Sequence, residues 1–67
     1  MDKTDVIRTI KAKNGKVVEI YQVAYSKEIC ARLVAGLVKY ADSRNERNNH
    51  TLWDALQWAK QYEVATA

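Results

Sequence analysis

Asn14-Gly15 is the feature that most constrains this chain. Both residues accept positive φ at low cost, and Asn-Gly between two β-branched runs is the strongest short hairpin signal. Before it runs Asp5-Val6-Ile7-Arg8-Thr9-Ile10-Lys11-Ala12, and after it Lys16-Val17-Val18-Glu19-Ile20-Tyr21-Gln22-Val23-Ala24-Tyr25. Residues 5–25 therefore read as a β-hairpin. A two-residue turn at Asn14-Gly15 sets Ile10 against Glu19 and leaves neither face apolar. A three-residue turn with a bulge at Gly15 sets Ile10 against Val18 and Arg8 against Ile20. That register gathers Val6, Ile10, Val18 and Ile20 on one face and is preferred, because a slip of one residue turns every side chain over.

Ser26 fits a helix N-cap, with Glu28 suited to the first turn. The pattern that follows predicts a first helix over about 27–42. Ile29, Cys30, Leu33, Val34, Leu37, Val38 and Ala41 sweep about half its circumference, and Ala31 and Ala35 broaden the stripe. Only Lys27, Glu28, Arg32, Lys39 and Asp42 mark a wet side, so the helix needs more than one neighbour. Gly36 would sit inside this helix at a cost of about 1 kcal/mol relative to Ala, explained there by close approach of another element. Residues 43–50 contain no apolar residue and three asparagines, which predicts a solvated loop. Thr51 fits an N-cap with Asp54 three positions on, opening a second helix from about Leu52 to Glu63. Leu52, Ala55, Leu56, Ala59 and Tyr62 form its apolar side, with Trp53 and Trp58 on opposite flanks. Val64-Ala65-Thr66-Ala67 reads as a frayed tail. The expected fold is a single α+β domain of order ββαα, the first helix laid across one face of the hairpin.

At 67 residues the chain forms one domain. A core this small supplies about 3–5 kcal/mol of stability. Cys30 is the only cysteine and His50 the only histidine, so neither a disulfide nor a zinc quartet can reinforce it. Good packing or pairing with a second copy remains. There is no apolar run near the length of a membrane span and no signal-peptide pattern at Met1–Asp5. The lone thiol then points to the cytoplasm.

Catalysis is the class least supported. His50 has Asp42, Glu46 and Asp54 within reach in sequence, but a solvated histidine at a helix end explains it better. Cys30 lies among Leu33, Val34 and Leu37, the setting of a packed, inert thiol. With Gly15 and Gly36 the only glycines, no phosphate-cradling loop is available. No catalytic residue, metal ligand or cofactor site is expected.

Binding is the class that remains. Two tryptophans and four tyrosines with no phenylalanine suit half-exposed interfaces. The expectation is a small non-enzymatic regulator or adaptor acting by protein contact, with another protein or a second copy. Trp53, Trp58, Tyr21, Arg44 and Arg47 would carry that contact, one tryptophan entering the core and the other staying exposed. The alternative is a basic nucleic-acid-binding protein. Net charge is +3, Lys11, Lys13 and Lys16 cluster at the hairpin tip, and Arg44 and Arg47 project from the polar loop. Lysines at a hairpin end also serve simply to keep it soluble.

Overall fold

A computed structural model describes residues 3–63; the expected frayed tail at 64–67 lies outside them. Four strands are followed by one helix. They are β1 (Thr4–Lys11), β2 (Val17–Val23), β3 (Ile29–Ala35), β4 (Val38–Asp42) and α1 (Leu52–Lys60). The strands form one antiparallel sheet in the order β1-β2-β3-β4, each pairing with its sequence neighbour. The ββαα expectation is thereby corrected: the sequence from Lys27 to Asp42 holds two strands, not a first helix.

The hairpin forms with the three-residue turn. Asn14 and Gly15 take φ of +62° and +73°, Ile10 pairs with Val18, and Arg8 pairs with Ile20. One expected neighbour leaves that face. A bulge between Val6 and Arg8 makes Ile7 the extra residue and sets Val6 against Tyr21, so Val6 turns to the other side and stays exposed.

The expected first helix breaks at Gly36. A two-residue turn, Gly36-Leu37, joins β3 to β4, with Ala35 opposite Val38 and Gly36 at φ +61°. Glycine at the first central position is the signature of a type II′ hairpin turn. A Cβ at Gly36 would meet open space, so this glycine is required by its backbone angle and not by close packing. The helical-looking stripe arises because β3 is covered on both sides. Ala31 and Leu33 join the core under the helix, while Cys30 joins Tyr21 and Val23 on the opposite face. A strand covered twice shows a continuous apolar run instead of alternation. Two strands alone are marginal in water, and β3 and β4 complete a sheet able to stand.

Ser26 makes the local bond expected of a cap without a helix. Its Oγ accepts the Glu28 N–H at 3.4 Å, and its hydroxyl donates to Glu28 Oε1 at 2.9 Å. The chain then turns through Lys27 at φ +65° into β3.

α1 packs across β2 and β3, burying Ala55, Trp58 and Ala59 on Val18, Ile20, Ala31 and Leu33. Thr51 caps it as expected, its hydroxyl oxygen accepting the Asp54 N–H. The helix ends at Lys60, short of Glu63. Beyond it the Tyr62 carbonyl accepts the Lys13 N–H at 3.3 Å, and Glu63 bridges to Ala12, so the helix end is pinned to the hairpin tip. The 43–50 segment is not wholly solvated: Ser43 is buried and its Oγ accepts the Ala31 N–H at 2.8 Å. Among the described residues no helix is long and apolar enough to cross a membrane.

Candidate functional site

Among the described residues most carboxylates are held within the fold, Asp5 on β1 and Glu63 after α1 being the exceptions. Glu19 pairs with Arg32 at 2.8 Å. Asp42 accepts the Tyr21 hydroxyl at 2.7 Å, the Arg44 N–H at 3.0 Å and the Lys39 ammonium at 3.3 Å. Glu28 pairs with His50, Glu46 accepts the Trp58 indole N–H, and Asp54 accepts the Asn49 N–H. Five carboxylates are thus held within the fold. Arg8, Lys11, Lys13, Lys16 and Lys60 make no ion pair among the described residues, and neither do Lys3, Lys27 and Arg47, which lie elsewhere.

The topology brings Arg8, Lys13, Lys16 and Lys60 to the side of the molecule beside α1, while Lys11, one step on from Ile10, faces the other side of the sheet. β1 is an edge strand and carries Arg8 and Lys11 toward the hairpin tip, where Lys13 and Lys16 follow. Because α1 lies over β2 and β3, its flank toward β1 is uncovered. There a groove of about 350 Å³ opens, lined by Arg8, Ile10, Trp53, Leu56, Lys60 and Glu63. Trp53 is 67% exposed at its rim. A second cleft of about 230 Å³ lies around the tip, lined by Ala12, Lys13, Lys16, Leu33, Gln61 and Tyr62. Glu63 lines the groove and Ala12 the cleft, so their bridge stands between the two. Beside the cleft the Lys16 ammonium sits 4.8 Å from the centre of the half-exposed Tyr40 ring, a cation–π contact.

The residues expected to carry protein contact are dispersed. Trp53 is at the groove. Trp58 is 7% exposed, its ring against Tyr62 with centroids 5.0 Å apart. Tyr21 is 2% exposed, its hydroxyl donating to Asp42 and its ring under the Arg32 guanidinium at 4.7 Å. Burial and that hydrogen bond push the Tyr21 phenol well above its ordinary pKa. β4 runs away from the tip, so Arg44 and Arg47 are carried toward the opposite end of the sheet from Lys13 and Lys16. The five cations of the nucleic-acid alternative therefore fall into two separate groups. Arg8, Lys60 and Tyr40 take the place of the loop arginines at the tip end. Trp53, Leu56 and Lys60 are spaced i, i+3, i+7 along one helix side, a signal readable in the sequence. Tyr40 is hidden when residues 27–42 are read as a helix.

Two groups with chemical potential are structural. Cys30 is fully buried, and burial, with Asp42 next in effect, raises its thiol pKa. That is the reverse of an activated nucleophile. His50 bonds through Nδ1 to Glu28 Oε2 at 2.6 Å and through Nε2 to the Glu46 carbonyl at 3.2 Å. Neither Asp42 nor Asp54 is its partner, and Glu46 gives its backbone rather than its carboxylate. Among the described residues no three metal-ligating side chains converge. Comparison with protein-family models, with curated proteins and with solved structures finds no match.

Proposed function

We propose that this protein is a small, non-enzymatic, cytoplasmic regulator that binds nucleic acid through the surface formed by β1, the hairpin tip and the β1 flank of α1. The gathering of unpaired cations around the groove and cleft carries this reading. Arg8, Lys13, Lys16 and Lys60, all without carboxylate partners, line the groove and cleft against one carboxylate, Glu63, while Glu19, Glu28, Asp42, Glu46 and Asp54 are occupied elsewhere. A polyanion bound there places its phosphates on free cations and releases counterions without first breaking internal ion pairs. Trp53 and Tyr40 add exposed aromatic faces to the same side. The single thiol is in keeping with a reducing compartment.

Fluorescence anisotropy with labelled mixed-sequence oligonucleotides tests it. The paired reversal Lys13→Glu and Lys16→Glu lowers affinity at least tenfold, whereas reversal of Arg47, at the far end, has little effect. Equal losses from the two ends, or none, contradict the reading.

One observation favours a protein partner instead. β1 is an open edge beside a groove with an exposed tryptophan, a place where an extended acidic segment could add a strand. Such a segment would require Trp53 and the β1 backbone but not Lys16 or Tyr40.

A further inference from the structure

The groove between β1 and α1 combines an apolar floor with an exposed tryptophan. Ile10, Leu56 and Ala59 form that floor, Trp53 stands at its rim, and Arg8 and Lys60 flank it together with one carboxylate, Glu63. Trp53 has no ring partner among the described residues and is two-thirds exposed, so much of its indole is open to a ligand. Phosphates alone do not use such a place. An unpaired base does: it offers a flat apolar face to stack and is joined on both sides to phosphates that cations can hold.

The hairpin itself argues against a duplex. A two-stranded ribbon enters a major groove only if it projects freely. Here the tip is bound back onto the helix end through the Lys13 N–H to Tyr62 carbonyl bond and the Ala12–Glu63 bridge. The bases of an intact duplex are stacked on one another and present no free face to Trp53.

Resting on the nucleic-acid reading above, we infer that the ligand is single-stranded, with one unpaired base stacked on Trp53 in the β1–α1 groove. Its backbone follows Arg8 and Lys60 past the Ala12–Glu63 bridge to Lys13 and Lys16, where Tyr40 offers a second aromatic face.

The test uses short single-stranded DNA and RNA oligonucleotides of mixed sequence and the matching DNA duplex. Intrinsic tryptophan emission is followed together with anisotropy. The single strands quench the emission of Trp53, and Trp58, enclosed and bonded to Glu46, is unaffected in a Trp53→Phe variant. Trp53→Ala weakens single-strand binding by about five- to a hundredfold, the range for removing one stacked base, and Trp53→Phe keeps most of the affinity. Because Trp53 is exposed, circular dichroism of the alanine variant stays that of the parent. Equal binding of duplex and single strand with no effect of Trp53→Ala overturns the inference and leaves the basic-surface reading intact. Absence of binding to every probe at low salt overturns both, and leaves the acidic protein segment as the occupant of the groove.

Discussion

The imidazole of His50 and the carboxylate of Glu28, 22 positions apart in the chain, meet at 2.6 Å. The contact ties the segment before α1 to the turn entering β3. It is reinforced by the His50 carbonyl accepting the Ile29 N–H at 2.8 Å. The hydrogen bond to Glu28 raises the His50 pKa above its ordinary 6.5, and the same bond, with one from Ser26, lowers that of Glu28 below 4.5. The histidine's contribution to stability is full below its unfolded pKa and is lost as pH rises through the raised folded value. The glutamate's is present above its unfolded pKa and is lost as pH falls through the depressed folded value. The contribution of this pair to the melting temperature is therefore greatest in the mildly acidic window between the two. Glu28→Gln returns the His50 titration, followed by NMR of its ring protons, toward 6.5 and flattens the alkaline side of the profile. An unchanged titration in that variant rules the contact out in solution.

Gly36 distinguishes the β3–β4 turn from a helix by the sign of one substitution. In a helix interior, Gly36→Ala would stabilise by about 1 kcal/mol. At φ +61° it forces an L-residue into the left-handed region and destabilises by about 1–2 kcal/mol. Gly36→Asn costs less, since asparagine tolerates that region best after glycine. Urea unfolding of the two variants reads both sign and order; stabilisation by alanine would restore the helix.

How much of this was legible follows from these residues. Asn14-Gly15 announced its turn, and Ile10 and Arg8 found Val18 and Ile20, because the turn and one apolar face agreed. Thr51 announced α1 because its cap is local. Residues 29–41 mislead because Ile29, Leu33 and Ala41 face the helix side while Cys30 and Val34 face the other, and the sum of two covered faces imitates a helical stripe. The remaining clue was Gly36 between Val34 and Val38, a Gly-X turn flanked by β-branched residues. The groove was the least legible part. It depends on α1 lying over β2 and β3 and leaving β1 open, a relation between elements that no local pattern records.

Trp58 carries much of the core in a chain of this size. Trp58→Ala removes a buried indole at a cost of about 3–5 kcal/mol, comparable with the whole stability of so small a core, and yields an unfolded chain by circular dichroism. Trp58→Phe keeps most of the packing and loses the donor to Glu46, costing about 1–2 kcal/mol. A fully folded alanine variant would contradict the packing described.

Cys30 reports on the integrity of the sheet. Buried, and with its thiol pKa raised, it reacts with a colourless disulfide reagent only through opening of the fold. The native protein is modified orders of magnitude more slowly than the urea-unfolded chain. Comparable rates would show that the second cluster of Tyr21, Val23 and Cys30 is open.

The salt dependence of single-strand binding tests the central claim most directly. Removing one cation from a phosphate makes the slope of log K against log salt shallower by about 0.7 for a single strand. Isothermal or anisotropy titrations of the parent and of the Lys13→Gln, Lys16→Gln double variant, across a range of salt, should give a steep slope for the parent. The variant's slope should be shallower by about 1–1.5, with the Trp53 quenching retained. A parent affinity indifferent to salt, or a variant with the parent's slope, would contradict the assignment of this surface to nucleic acid.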